Sequence, residues 1–397
     1  MRLTPQQAIA RLQPSGKQKA KGGKQLQHIG SIGHAEEDIY LFDGADGGVA
    51  APADDSLPPI LGVWEEGGDI PPAMKDWLQE YAAEVEWWHN IGENLQADIP
   101  AKAKANASPR QSIAPMISTK WGQTEPYNDT IIYDGKKCVT GCNATAAAQL
   151  LYSWYKKGYG RGCNATKAYI TDTNRYEVEA LPPISSFDFD NMADKPKKDK
   201  EKKAVQKMMV YLGRAFGSDY CPAATGASPK KVATVLKDDV RMGKNICVIY
   251  ASKGEAAFEK KIYSEMANQH PVIVAGWKAS GGGHSFMIDG YDADTGLYHV
   301  NWGWNGSYNG WFALSALQPK ASATYNSNRL AIVGIQPDYP QGDVNGDGEV
   351  NIADAMQTMT LVQQGKFSEA ADINYDGKVT ITDVQVIINK ILGKGMT

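Results

Sequence analysis

Apolar and polar positions along this chain fall into regions with different rhythms, and each rhythm predicts a different kind of element. Residues 4–12 begin Thr-Pro and continue with Ala8, Ile9 and Leu12, which predicts a short helix with Thr4 as N-cap and Pro5 as its first residue. Residues 28–30 and 38–42 read as strands, and residues 72–88 as an amphipathic helix rich in aromatics. Residues 96–110 are rich in Ala, Lys, Pro and Asn without apolar periodicity, so an exposed linker is expected there. Beyond it, an Ala-rich run after Cys142 favours helix, and the stretch after the glycines at 281–283 reads as a buried strand. Residues 298–304 alternate like a neighbouring strand. Residues 353–364 and 382–392 are amphipathic helices, each preceded by a loop dense in Asp, Asn and Gly.

Two of these stretches carry chemistry. Cys142 lies on the first turn of its predicted helix, where unpaired N–H groups and the helix dipole favour a thiolate. His284 follows three glycines that clear backbone in front of it, a setting a purely structural histidine does not need. His299 is the other candidate base, on the strand expected beside the first. In a Cys–His pair the thiolate attacks a carbonyl and the imidazolium protonates the leaving group, so donors aimed at the developing oxyanion are also required. The Gln123 side chain and the Cys142 backbone N–H are the candidates.

The segment Thr140-Gly141-Cys142-Asn143-Ala144-Thr145-Ala146-Ala147-Ala148-Gln149 resembles the Thr-Gly-Cys-x-Ala-Thr-Ala-x-Ala-Gln motif of the streptopain family of papain-like cysteine proteases. Gly282-Gly283-His284-Ser285-Phe286 resembles that family's Gly-Gly-His-Ala-Phe, Gln123 to Asn128 its Gln-x-x-Pro-Tyr-Asn, and His299 to Trp304 its downstream segment. The resemblance implies an α+β papain-like protease domain at 108–338 behind an α+β inhibitory prodomain and linker at 1–107. It assigns Cys142 and His284 to catalysis, Gln123 to the oxyanion hole, Asn301 to orienting the imidazole and Trp302 to shielding that bond. For Asn301 a turn-forming role beside two core tryptophans is the alternative. Gly282 and Gly283 would let substrate backbone approach, and Ala224, Thr225 and Gly226 fall in the family's substrate-lining loop. One departure is Val49-Ala50-Ala51-Pro52-Ala53, where the family has an apolar strand. Proline cannot donate to a central ladder, so this strand is expected at an edge or bulged.

The C-terminal region carries a second pattern. Asp343, Asn345, Asp347, Glu349, Asn351 and Asp354 occupy positions 1, 3, 5, 7, 9 and 12 of a loop with glycine at 6, and Asp372, Asn374, Asp376, Lys378, Thr380 and Asp383 repeat it. Oxygen side chains at this spacing, with position 7 giving a backbone carbonyl, wrap a hard cation, so two structural Ca2+ sites are expected and no cofactor for catalysis. Asp at position 12 and a single helix after each loop resemble the dockerin module, a small α-helical appendage, which implies a cohesin-type or surface-scaffold partner.

Composition narrows the picture further. A net charge of −4 gives no reason to expect nucleic acid, and no run approaches a membrane span. The lysine-dense residues 195–203 interleave acids and read as a solvated loop. Five cysteines argue against a disulfide scaffold, although Cys138, Cys163, Cys221 and Cys247 could pair. The first residues lack the apolar core of a signal peptide, so either the protein stays inside the cell or its signal is not part of this sequence; the extracellular look of the other modules favours the second, a secreted or surface protein. The resulting expectation is a cysteine endopeptidase zymogen acting on proteins or peptides. The alternatives are a Cys–His amidase or transglutaminase, and a calcium-dependent adhesion or assembly protein with an inactive protease fold.

Overall fold

The computed structural model describes residues 2–12, 26–33, 38–44, 47–65, 69–89, 110–157, 159–277, 283–316, 328–337, 342–345, 349–368, 370–374 and 376–393. Helix α1 (Pro5–Leu12) has the expected cap, with Gln7 N–H on Thr4 Oγ1 at 3.3 Å and Thr4 N–H returning to Gln7 Oε1 at 2.7 Å. Strands β1 (Gln27–Ile32), β2 (Ile39–Gly44), β3 (Gly47–Pro52) and β4 (Gly62–Trp64) lead to helix α2 (Pro72–Trp87). The expected linker lies outside the described residues, except Arg110. Two short hairpins, β5–β6 (Ile132–Tyr133, Lys136–Lys137) and β7–β8 (Tyr169–Ile170, Glu177–Val178), flank helix α3 (Cys142–Tyr155). Helices α4 (Asp199–Ala215), α5 (Pro229–Asp238) and α6 (Glu255–Ala267) then alternate with strands β9 (Cys247–Tyr250), β10 (Val272–Trp277), β11 (Gly283–Asp292), β12 (Leu297–Asn301), β13 (Gly310–Phe312) and β14 (Arg329–Val333).

Ten of these strands form one sheet in the order β1-β2-β3-β4-β13-β12-β11-β10-β14-β9. The N-terminal strands therefore continue the sheet of the region that follows, through Gly310 opposite Trp64 and Phe312 opposite Gly62. Glycine is required at 310, because a Cβ there would stand 2.1 Å from the Val63 carbonyl oxygen. The edge expected for the proline-bearing strand is corrected: β3 is central, pairing β2 on one side and β4 on the other. Its β4 contacts stop at Ala50, so Pro52 falls past the end of that ladder and its missing N–H costs nothing there.

The sheet separates two cores. On one face, α2 and α6 pack with Phe286, Ile288, Val274 and Trp302; on the other, α3, α4 and α5 pack with Met287, Ile273 and Ile332. Residues on one strand alternate between the two, as a pleated backbone requires. Residues 195–203 are only partly the loop expected, since α4 begins at Asp199. The Glu201 carboxylate takes the N–H groups of Lys197 and Lys198 at 2.9 and 3.1 Å, and acids in a first turn suit the helix dipole. The C-terminal helices α7 (Ile352–Gln364) and α8 (Ile381–Ile391) close a separate small core around Val344, Ala371, Ile373 and Ile387.

Candidate active site

Helix α3 starts on Cys142, and Gly141 before it has φ 90. A Cβ on Gly141 would meet the Thr225 carbonyl oxygen at 2.9 Å, so glycine lets the loop containing Ala224, Thr225 and Gly226 close against the helix start. That loop is braced by Asp219 N–H on the Gly226 carbonyl at 2.8 Å and Cys221 N–H on Thr225 Oγ1 at 3.1 Å. Gln123 is stitched to the same place, its carbonyl accepting the Thr140 N–H at 3.0 Å.

His284 lies on β11 opposite Gly276, and its neighbour Ser285 lies opposite Ala275. Alternation then decides what each faces. Ser285 points toward α3 and Cys142, whereas His284 shares the other face with Phe286, 6.2 Å from its ring. The His284 Nε2–H donates to the Trp302 carbonyl at 2.8 Å, and its ring stacks on Trp304 at 4.8 Å. A cavity of about 30 Å³ lies beside the imidazole, between Asp76, Trp77 and Glu80 of α2 and His284, Phe286 and Trp302. Trp77 meets Phe286 edge-on at 5.2 Å and Trp302 at 6.4 Å.

These surroundings set the protonation states. Burial pushes the His284 imidazole down to about 4, against smaller upward pulls from the Trp302 carbonyl and the Asp76 charge. Burial likewise raises the Cys142 thiol, offset in part by the Ser285 and Asn143 N–H groups. Both groups are therefore neutral, and among the described residues no hydrogen bond joins them. Partial burial thus works against the thiolate that a helix start favours.

Asn301 is not the partner of the imidazole here. Its Nδ2 donates to the Thr119 carbonyl at 2.8 Å, and its Oδ1 accepts from Gly303 N–H at 3.1 Å and Gln149 Nε2 at 3.3 Å. Trp302 is buried and stacks parallel to Trp304 at 5.1 Å. His299 is committed elsewhere, with Nδ1 2.6 Å from Asp289, whose other oxygen accepts the Ile117 N–H at 2.6 Å. Gly283 opens β11, and Gly282 lies outside the described residues. The residues around His284 that sequence reasoning missed are Asp76, Trp77 and Glu80, whose signal was the aromatic-rich helix already noted.

Helix α2 is tied down by charge as well as by packing. Glu84 is fully buried and pairs with Arg329, itself 3.0 Å from Glu255. The same Glu84 carboxylate accepts the Ser315 hydroxyl at 2.8 Å and the Ala316 N–H at 2.5 Å, and Tyr81 donates to the Ala313 carbonyl.

In the second C-terminal loop, Asp372 accepts the N–H groups of Asp376 and Gly377 at 3.1 and 2.9 Å. Asp383 turns one oxygen to Ile373 N–H and the other to Thr380 N–H, and Asp354 does the same for Val344 and Asn351. Among the described residues no three acidic, histidine or cysteine side chains converge as a cation site; Asp347 lies outside them. The donor set itself is all oxygen, which fits Ca2+ in kind.

Known proteins share parts of this sequence and fold. Residues 121–312 match the Peptidase C10 family model and residues 341–392 the Dockerin type I domain model. The chain is 27% identical over 337 residues to streptopain of Streptococcus pyogenes serotype M1, covering 75% of this chain and 81% of that one. It is 26% identical over 360 residues to the thiol protease/hemagglutinin PrtT of Porphyromonas gingivalis, spanning 83% of this chain but only 39% of that relative. A prointerpain A fragment of Prevotella intermedia superposes with TM-score 0.64 at 26% identity, covering 79% of this chain and 99% of the fragment. Active interpain A superposes with TM-score 0.50 at 26% identity, covering 59% of this chain and 99% of its own. Residues 121–312 thus resemble the cysteine proteases of the Peptidase C10 family, within a body that shares the fold of prointerpain A, and residues 341–392 match a type I dockerin domain.

Proposed function

We propose that this protein is a secreted cysteine endopeptidase held as a zymogen, with residues 1–107 as inhibitory prodomain and linker, 108–338 as protease and 341–397 as a calcium-stabilised docking module. The observation that carries the reading is the position of His284: it is bonded to the Trp302 carbonyl in a pocket walled by α2, on the sheet face opposite the one that meets Cys142. With α2 gone the pocket opens to water, and the imidazole gains both charge and freedom to reach the thiol.

In the released state the Cys142 thiolate attacks the substrate carbonyl carbon, and the oxyanion is received by the Gln123 amide and the Cys142 N–H. The His284 imidazolium gives its proton to the leaving amine as the C–N bond breaks. The neutral imidazole then takes a proton from water, whose oxygen attacks the thioester carbonyl carbon; the C–S bond breaks, freeing the acid and restoring the thiolate beside the imidazolium. Asn301 orients His284 and Trp302 covers that bond. Gly282, Gly283 and residues 224–226 line the path of the substrate backbone. In the C-terminal module the side chains of Asp343, Asn345, Asp347, Asn351, Asp354, Asp372, Asn374, Asp376, Thr380 and Asp383 and the carbonyls of Glu349 and Lys378 would hold two Ca2+ ions. The ions supply positive charge among carboxylates that otherwise repel. A type I dockerin implies a cohesin-type partner.

Cys142→Ala tests the reading. It should abolish peptide cleavage and labelling by an epoxysuccinyl thiol inhibitor, while Cys138→Ala, whose thiol burial raises to about 11, should leave both intact. Labelling that persists in Cys142→Ala would remove Cys142 from the mechanism.

A further inference from the structure

We propose that Asn143 and Ser285 form a positioning pair that sets the nucleophile helix, the histidine strand and the substrate loop in register with one another; the proposal rests on the cysteine protease reading above. Ser285 stands where the family motif has alanine, so its hydroxyl is a feature of this chain. Each member of the pair directly follows a catalytic residue, Asn143 after Cys142 and Ser285 after His284. Both are about 5% exposed, where an unpaired amide or hydroxyl is costly. They satisfy each other. Ser285 Oγ donates to Asn143 Oδ1 at 2.9 Å, and Asn143 Nδ2 donates to the Ala227 carbonyl at 3.0 Å.

One buried amide therefore joins three parts of the site. Its carbonyl holds β11 on the start of α3, and its NH2 holds the end of the loop that carries residues 224–226. With its hydroxyl proton committed to Asn143, Ser285 turns its backbone N–H toward the Cys142 sulfur, which favours the thiolate over the thiol. Because Ser285 and His284 point to opposite faces, the strand stays pinned at Ser285 while the imidazole leaves its pocket one residue away. The pair serves both the zymogen and the released enzyme as a fixed point.

The test uses the full chain allowed to process itself, assayed on a fluorogenic peptide as wild type, Ser285→Ala, Asn143→Ala, the double variant and Ser285→Thr. Loss of one such hydrogen bond is worth about threefold to tenfold in rate or binding. Ser285→Ala should lower kcat/KM by about that factor, chiefly through kcat, and raise the pH at which iodoacetamide reacts with Cys142. Asn143→Ala should also raise KM, because the loop loses its tether. The double variant should be no worse than Asn143→Ala alone, and Ser285→Thr should keep most of the activity. If Asn143→Ala does not fold, Asn143→Asp keeps the acceptor for Ser285 and removes the donor to Ala227, and should raise KM while its charge also raises the pH at which Cys142 is alkylated. Single variants within twofold of wild type, additive losses, or Ser285→Thr no better than Ser285→Ala would overturn the pairing. Wild type and Cys142→Ala run alongside separate the two claims: a wild type that cleaves nothing defeats the protease reading, whereas an active wild type with indifferent variants defeats only this one.

Discussion

The settings of His284 and Cys142, a strand entered through glycine in one case and a helix start after Gly141 in the other, were legible in the sequence because each leaves a local mark. The partner of the imidazole was not. It depends on which face of β11 a residue occupies and on what covers that face, and neither is written near the histidine. The same holds for Asn301, whose amide is spent on Thr119, Gly303 and Gln149 in this state. A pH dependence follows from the covered imidazole. Its ordinary value is near 6.5 and burial takes it to about 4, so the docked state binds fewer protons than the released one. Docking is fully favoured above about 6.5 and weakens as pH falls toward about 4. Glu255 opposes this, since burial holds its carboxyl at about 6, above its ordinary value, and its protonation strengthens docking as pH falls through 6. Glu80, which lines the same pocket and is likewise raised by burial, acts in the direction of Glu255, and the imidazole, displaced furthest of the three, sets the expected release in acid. Hydrogen exchange on Cys142→Ala, corrected for intrinsic rates, should show protection of the Pro72–Trp87 amides falling between pH 7 and 4.5. Protection that holds or rises over that range would contradict the assignment.

At the scale of elements, the helices came through well because their periodicity is local: α1, α2, α7 and α8 lie within a residue or so of where the pattern put them. Strand neighbours were harder. Pro52 suggested an edge, yet β3 is central because its ladder with β4 ends before the proline, and ladder length is a tertiary property. Nor did the sequence disclose that β4 and β13 would fuse two regions into one sheet. The grip of α2 combines this continuity with the Trp77 ring and the buried Glu84–Arg329–Glu255 group. Removing one partner of a buried ion pair typically costs about 3 kcal/mol or more, roughly a hundredfold in an equilibrium. Glu84→Gln should therefore loosen α2 and speed self-processing by up to that factor. Glu255→Gln, on the protease side, should not accelerate it, because Glu84 still holds Arg329. Equal processing rates in wild type and Glu84→Gln, timed by gel, would show that the charge group does not retain the helix.

For the whole molecule, the C-terminal module and the zymogen body have separate cores, which makes their stabilities separable. A segment of this size buries little apolar surface, so cation binding should supply much of its stability. Chelation should melt residues 341–397 while leaving the larger body folded, and calorimetry on the segment should show two calcium sites lost one at a time in Asp343→Ala and Asp372→Ala. A melt indifferent to chelator would contradict this. The repeat of loop positions made this module readable from sequence alone, whereas the capping of backbone N–H groups by Asp354 and Asp383 was visible only in the fold. The central claim is that the first hundred or so residues keep a competent Cys–His pair apart. Its most direct test is a time course on the purified full chain, following mass by spectrometry and peptide hydrolysis together. Activity should rise in step with loss of the N-terminal region through cleavage between residues 90 and 110, and Cys142→Ala should remain at full mass and inactive. An intact chain that hydrolyses peptide at its final rate from the start, or a Cys142→Ala chain that trims itself, would contradict the account.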